Sequence, residues 1–319
     1  MGDREKQIDI SVVIPVYNEE SNLLELHRQL NDVLSNMGRS YEIIAVDDGS
    51  SDDSFEVLRR LHGQDEHLVA VRFRRNFGQT AAFSAGFDLA RGQIVITMDA
   101  DLQNDPVDIP HLIEMMEEGY DVVSGWRKDR KDPFVSRRLP SIMANRLISF
   151  VTGVKLHDYG CSLKAYRGDV VKNLHLYGEM HRFIPALANW MGVSVTEIAV
   201  RHHPRRHGQS KYGISRTLKV ILDLLTVRFL LSFSARPMQL FGLLGMGSFG
   251  VGFLIGLYLT VLKVIYGQSI SNRPLLLLGV LMLVAGIQLT TMGLLAELIV
   301  RTYHETQDKA IYVIREVLD

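Results

Sequence analysis

Asp99 and Asp101 flank Ala100 directly after the apolar run IVITM, and Gln103 follows two positions on. In an extended chain residues two apart share a face, so both carboxylates point one way and Gln103 adds a neutral oxygen. Few, hard oxygen donors suit Mg²⁺ or Mn²⁺ held jointly with substrate phosphates. Other apolar runs also end in reactive residue types: IPVYNEE at 14–20, DDGSSDDS at 47–54 with Asp47 and Asp48, and SGWR with Arg127. A lone D-x-D is a common acidic turn. Several such tips meeting in one crevice would need many matching cations if their role were structural, and few lie near them in sequence. The phosphate-cradling G-x-x-x-x-G-K-[ST] and the hydrolase signatures G-x-S-x-G and H-E-x-x-H do not occur. A metal-bridged diphosphate is the simplest remaining substrate class.

These tips need strands to hold them. The runs IDISVVIPVY, YEIIAVDD, HLVAVRF, QIVITMDA and DVVSGW predict strands, and helices are predicted at Glu20–Gly38, Ser54–His62, the small-residue stretch NFGQTAAFSAGFDLA and Ile109–Glu118. This order predicts an α/β fold with a Rossmann-like, mostly parallel sheet and a ligand crevice at the carboxyl ends of its strands. Gly and Ala at helical spacing predict close packing of the small-residue helix on the sheet, with Asn76 a crevice contact. His202, His203 and His207 lack a Cys or carboxylate at ligand spacing and read as a polar loop rather than a metal site. Trp126 and Trp190 read as packing residues.

With 35 Lys and Arg against 36 Asp and Glu the net charge is −1, which leaves no global field to draw in nucleic acid. The charges are unevenly spread: residues 229–300 hold only Arg236, Lys263, Arg273 and Glu297. Pro237–Leu262 and Pro274–Ala296 are uncharged runs of 26 and 23 residues. As helices they would reach about 39 and 34 Å against a hydrocarbon core of about 30 Å, so they predict a transmembrane hairpin. Eight Lys and Arg lie between 201 and 236 and three more follow the second run, against Lys263 and Arg273 between the runs. That asymmetry predicts both termini in the cytoplasm. The expected organisation is a cytoplasmic catalytic domain at 1–215, amphipathic interfacial helices at 216–236, spans at 237–263 and 274–300 around an extracytoplasmic loop at 264–273, and a cytoplasmic tail at 301–319. Gly245-x-Gly247-x-x-Gly250 has no strand before it and is not read as a dinucleotide site; Gly252-x-x-x-Gly256 is expected to let the two spans approach. A single cysteine, Cys161, excludes an internal disulfide framework, and the charged start MGDREKQIDI shows no signal-peptide pattern.

The segments SVVIPVYNEE, AVDDGSSDDS, NFGQTAAFSAGFDLARG, MDADLQNDP and SGWR, in this order and spacing, resemble the GT-A family-2 glycosyltransferases. RRHGQSKYG matches the basic G-x-S-K-[YF]-G loop of the dolichol-phosphate mannose synthase group. With its two C-terminal spans the whole chain is similar to bacterial polyprenyl-phosphate glycosyltransferases of the bactoprenol glucosyltransferase type. The resemblance implies a GT-A catalytic domain, a nucleotide-sugar donor, a polyprenyl phosphate acceptor in the plasma (inner) membrane and Mg²⁺ or Mn²⁺ as cofactor. It places Pro15, Tyr17, Glu19 and Asp48 around base and ribose, with Val46 through its backbone, and Asp99 and Ala100 continuing toward the ribose. Asp101 and Gln103, with Asp99 beside them, would bind the metal. Arg127, Arg205 and Lys211 would contact diphosphate or acceptor phosphate.

Asp158, in HDYGCSLKAYR, falls where the family carries an acidic residue near the acceptor, either as a base or as an orienting carboxylate; the bland alternative is a loop Asp capping the segment at Tyr159. A phosphate monoester with a second pKa near 6 is largely ionised at pH 7, which favours orientation, and in-line attack inverts the anomeric centre. The sequence departs from the group at Asn104-Asp105-Pro106, and its tail DKAIYVIREVL only approximates the family's end. That tail is expected to form a strand, on its own sheet or on that of a neighbouring subunit in a homo-oligomer. The expected reaction is transfer of glucose from UDP-glucose to undecaprenyl phosphate, with GDP-mannose the alternative donor. A processive synthase would need more spans and a Q-x-x-R-W motif; a nucleotide-sugar-binding membrane scaffold is the non-enzymatic alternative.

Overall fold

The computed structural model describes residues 8–128, 139–174, 176, 180–190, 192–204, 237–269, 274–306 and 314–318. Strands β1 (Ile10–Val16), β2 (Tyr41–Asp47), β3 (Leu68–Phe73), β4 (Ile94–Thr97), β5 (Val122–Trp126), β6 (Lys164–Arg167), β7 (Val195–Ala199) and β8 (Ile314–Leu318) form one sheet in the order β7-β5-β6-β4-β1-β2-β3-β8. β1 to β4 pair in parallel, as the sequence pattern predicts, and β5 pairs in parallel with β7, a strand the sequence pattern did not single out. β6 runs antiparallel between β4 and β5, and β8 lies antiparallel on the edge strand β3. The tail strand therefore pairs with its own sheet, Val317 opposite Val71.

Near-continuous burial of β1, with Ile10, Val12, Val13, Ile14 and Val16 all inside, marks a strand covered on both faces. Helices α1 (Glu20–Asn36), α2 (Ser54–His62), α3 (Gln79–Leu89), α4 (Ile109–Glu117), α5 (Leu139–Thr152), α6 (Gly168–Lys172) and α7 (Ile184–Trp190) accompany the sheet. On α1 the buried leucines 23, 26, 30 and 34 recur at three and four residues, the spacing of one helical face. α3 packs closely on the sheet: a Cβ on Gly86 would stand 2.1 Å from Val13 Cγ1. Gly86→Ala is expected to destabilise this unit by about 1–3 kcal/mol through overpacking, more than the roughly 1 kcal/mol alanine gains inside a helix. A lowered thermal midpoint of the full-length chain would show this; an unchanged one would contradict the close packing.

The second compact unit holds α8 (Pro237–Val264) and α9 (Pro274–Thr306). Both are long and apolar enough to cross a membrane, and only 17% and 11% of their most apolar windows are buried, unlike the core helices of soluble domains. They meet at Gly245 and Gly252 on α8 against Gly286 and Gly279 on α9: a Cβ on Gly245, Gly252 or Gly286 would fall 2.7–2.8 Å from the facing backbone oxygen, and one on Gly279 would lie 2.9 Å from Ile255 Cγ2. Gly256, expected from sequence to belong to this contact, has nothing within 4 Å. The contact repeats every seven residues rather than every four, so 245 and 252 share the packed face.

Candidate active site

β1 has β2 on one side and β4 on the other, so the chain's winding reverses there and a crevice opens at the carboxyl ends of these strands. Pro15 stands opposite Val46 in the β1–β2 register. It lies beyond Val13, the last β1 residue paired with β4, so its missing N–H removes nothing from that ladder. Beyond the strands the two tips are stitched together: Asn18 N–H donates to Ser50 Oγ (2.9 Å), Ser51 N–H to Asn18 Oδ1 (2.8 Å) and Glu19 N–H to Ser54 Oγ (2.9 Å). Tyr17 is partly exposed beside them, and the Glu19 carboxylate accepts from Asn22 Nδ2 at 2.6 Å. Val46 is fully buried in the sheet, between Pro15 on β1 and Val71 on β3.

Asp48 is buried, and its two carboxylate oxygens accept from the N–H groups of Phe77 (2.7 Å) and Gly78 (2.9 Å) at the start of α3. Burial pushes its pKa up to about 6, against the pull of those two donors. Gly49 makes this approach feasible: its φ is +69° and a Cβ would lie 2.5 Å from the Arg75 carbonyl carbon. Asn76 contacts the crevice loop as expected, Nδ2 donating to Asp48 O at 3.2 Å.

The start of α3 also reaches the tip of β4. Gln79 Nε2 donates to Asp99 Oδ1 at 2.7 Å, a contact that sequence reasoning missed because the stretch reads as packing. Burial first, and then the charge of Asp101, push the Asp99 carboxyl upward; a Ser162 hydrogen bond, Arg127 and Lys164 pull the other way. Asp101 is buried and accepts from Gln103 N–H at 3.1 Å, with Leu102 between them at φ +59°. A left-handed leucine costs roughly 1–2 kcal/mol, so the turn that presents Asp101 and Gln103 is held by its surroundings. His203 N–H donates to Gln103 O at 2.8 Å, His203 Nε2 bonds Asp105 Oδ2 at 3.0 Å, and Asn104 Nδ2 bonds Ser162 Oγ at 2.7 Å. Those bonds brace the Asn-Asp-Pro departure noted in the sequence. No group of three His, Cys, Asp or Glu able to hold a metal occurs among the described residues. A divalent ion shared with substrate phosphates nonetheless fits: two carboxylates that repel one another, a neutral amide oxygen and a strained turn are what such an ion stabilises. Gln79→Leu is expected to weaken Mn²⁺-dependent binding of a nucleoside diphosphate about tenfold, since hydrogen bonds to charged groups are worth about 1.5–3 kcal/mol. Calorimetry with and without Mn²⁺ checks this; equal affinities in both proteins would contradict it.

At the tip of β5, Arg127 forms a two-pronged pair with buried Asp158, Nε to Oδ2 at 2.7 Å and Nη2 to Oδ1 at 3.0 Å. Burial works against the guanidinium's charge, but the hydrogen bonds and charge of Asp158 outweigh it and raise the Arg127 pKa. Gly160 N–H donates to Asp158 Oδ1 at 3.1 Å, and Trp126 stacks on His157 at 4.4 Å. Antiparallel β6 brings a further cation, Lys164, opposite Thr97 on β4 and Ser124 on β5. Its Nζ donates to the carbonyls of Cys161 and Tyr159, and burial lowers its pKa. The lysine was legible as a charge inside the short run LKAYR, but that run has too little periodicity to predict a strand. Arg205, Lys211, His207 and the predicted interfacial helices at 216–236 lie outside the described residues.

Residues 11–174 match the model of the family described as Glycosyl transferase family 2. The chain is 46% identical over 322 residues to a dodecaprenyl-phosphate galacturonate synthase of Rhizobium johnstonii, covering 100% of this chain and 95% of that protein. It is 43% identical over 311 residues to an undecaprenyl-phosphate 4-deoxy-4-formamido-L-arabinose transferase of Pseudomonas paraeruginosa, covering 97% and 90%. Among solved structures, glucosyl-3-phosphoglycerate synthase from Mycobacterium tuberculosis, in complex with Mn²⁺, uridine diphosphate and phosphoglyceric acid, superposes with a TM-score of 0.53 at 19% identity. That match covers 69% of this chain and 78% of the other and supports the GT-A fold of the sheet unit. The order of the sheet, the carboxylates at its switch point and a match spanning half the chain agree that this protein belongs to glycosyl transferase family 2.

Proposed function

We propose that the protein transfers a single sugar from a nucleotide sugar to a polyprenyl phosphate at a membrane surface. The observation that carries this reading is the pair of carboxylates Asp99 and Asp101 presented together at the tip of β4, on the same crevice as an Arg127 fixed by Asp158. Asp99, Asp101 and Gln103 would hold the divalent ion, which when bound neutralises charge developing on the departing diphosphate. Arg127 supplies a preorganised second positive group on the same crevice. Asp158, committed to Arg127 through both oxygens, orients that guanidinium. An acceptor phosphate largely ionised at pH 7 needs no base. Relatives that act on dodecaprenyl and undecaprenyl phosphates support the acceptor class.

The membrane placement follows from chain connectivity. β8 follows the two apolar helices in sequence yet pairs in the same sheet as β1–β3, which supports a hairpin whose flanking segments share one side of the bilayer. The Lys and Arg asymmetry supports the cytoplasm as that side.

For the sugar, the relatives draw the reading away from glucose. Galacturonate and L-arabinopyranose share the configuration of galactose at C2, C3 and C4, with the formamido group of the second sugar standing in place of the C4 hydroxyl, whereas glucose has the opposite configuration at C4. A donor of galacto configuration therefore takes precedence over UDP-glucose and GDP-mannose. A panel of labelled UDP-galacturonate, UDP-4-deoxy-4-formamido-L-arabinose, UDP-glucose and GDP-mannose with undecaprenyl phosphate tests this. A kcat/KM at least tenfold higher for one of the first two is expected; preference for UDP-glucose or GDP-mannose would overturn the sugar assignment alone.

A further inference from the structure

The first turn of α3 does more than carry Gln79 to Asp99. One residue on, buried Thr80 meets His181, with Oγ1 and Nδ1 2.8 Å apart. His181 belongs to a 3₁₀ turn, Met180–Arg182, that precedes α7, and its ring also lies 6.3 Å from Phe83. Thr80 and Phe83 are three residues apart and share a helix face, so the imidazole lies on that face. Among the described residues the Thr80 hydroxyl has His181 as its hydrogen-bond partner, and the second ring nitrogen, Nε2, has none. That pairing assigns the tautomer. A hydroxyl can both donate and accept, whereas a neutral imidazole donates from one nitrogen only. A proton on Nδ1 would leave the buried Thr80 O–H with no acceptor among the described residues, a cost the reverse arrangement avoids, so the proton sits on Nε2. The ring stays neutral near pH 7, because burial first, and then the charges of Arg182 and Lys164, push its pKa down to about 3. The charge of Lys164 also reaches Asp99, which sets the ring on the same side of the crevice as the carboxylates of β4.

We propose that His181 reads the donor sugar, its Nε2–H donating to a hydroxyl or other neutral oxygen of the sugar ring while Thr80 holds the imidazole in place. The division of labour follows charge. Arg127, and a divalent ion held by Asp99, Asp101 and Gln103, suit the diphosphate; an uncharged N–H suits a neutral sugar oxygen. The two ring nitrogens point in diverging directions, so with Nδ1 on Thr80 the N–H faces away from α3. One helix start then sets three groups in register: the N–H groups of Phe77 and Gly78 hold Asp48, Gln79 holds Asp99, and Thr80 holds the sugar-reading ring. This inference rests on the nucleotide-sugar donor in the proposed function and names a group that senses the sugar.

The test separates the two ring nitrogens. Asparagine at 181 puts its amide where Nδ1 stands, which keeps a partner for Thr80 and removes the Nε2 donor. Glutamine reaches the Nε2 position with an amide N–H. Calorimetry with Mn²⁺ measures UDP, GDP and each nucleotide sugar of the panel on the full-length wild type, His181→Asn and His181→Gln. For the nucleotide sugar that wild type binds most tightly, His181→Asn is expected to lower affinity about tenfold, near the upper end for one hydrogen bond between neutral groups. Affinity for the corresponding nucleoside diphosphate should stay unchanged, and His181→Gln should recover to within about threefold of wild type. A parallel fall for the nucleoside diphosphate would overturn the proposal, because the ring would then act through Thr80 on the start of α3. Unchanged affinity for every sugar would overturn it too, as would equal losses in the two variants. A sugar-selective loss in a protein that moves no sugar onto lipid would refute the transferase reading and leave this one standing.

Discussion

Asp101→Asn is expected to lower sugar transfer by about 10²–10³-fold, the size of effect seen when a group that stabilises transition-state charge is removed. The substitution keeps the side chain's size and leaves an amide oxygen able to accept the Gln103 N–H bond that Asp101 now accepts at 3.1 Å. The left-handed turn at Leu102 should therefore survive. What disappears is one of two negative charges at the tip of β4, whose mutual repulsion helps push Asp99 upward. Two readouts should accordingly move in opposite directions. Without metal the thermal midpoint should hold or rise, because the repulsion is relieved; with Mn²⁺ the stabilisation by nucleoside diphosphate should shrink. Full-rate transfer by this variant would show that Asp101 is not part of the metal site.

Asp158→Asn should lower transfer about 100-fold and also destabilise the sheet unit. Removing one partner of a buried ion pair strands the other, typically at about 3–5 kcal/mol, and Arg127 has both Nε and Nη2 committed to this carboxylate. An asparagine can accept only one of those bonds and turns an N–H donor toward the other. The lost rate comes from a misplaced guanidinium, since a shift of about 1 Å in a positioning group can remove a factor of 10². The pH profile separates this role from proton abstraction. If Asp158 only positions Arg127, the acidic limb set by the acceptor phosphate, with its pKa near 6, persists in the variant at reduced height. If Asp158 were the base, the limb belonging to its own ionisation would vanish.

How far the sequence revealed this site depended on the range of each signal. The carboxylates at the strand tips were legible because strand periodicity and local spacing place Asp99 and Asp101 on one face. The two apolar helices were legible from length and charge alone. Contacts that span the chain were not. Nothing local ties Gln79 to Asp99, Asp48 to the backbone of residues 77 and 78, or Arg127 to an aspartate 31 positions away. Strand β6 is four residues long and reads KAYR, too short for a period-two pattern to stand out. Its antiparallel course nonetheless carries Lys164 into the site. Of the helix contact expected at Gly252 and Gly256, Gly252 takes part and Gly256 does not, Gly245 joining it instead, because which face of an apolar helix packs is decided by its partner. On α5 the pattern misleads in another way, since an apolar stripe reads as core and only the packed structure shows it facing outward.

The central claim is that one crevice, with its paired carboxylates and locked arginine, moves a sugar onto a lipid phosphate. The direct measurement is incubation of the purified full-length chain in lipid nanodiscs with undecaprenyl phosphate, Mn²⁺ and each labelled nucleotide sugar of the panel, followed by extraction of the lipid. A labelled lipid that forms with at least one donor, requires the divalent ion and falls by at least 100-fold in Asp101→Asn is the predicted result. No labelled lipid with any donor, from protein that still binds nucleoside diphosphate, would contradict the claim and leave the crevice a binding site without transfer.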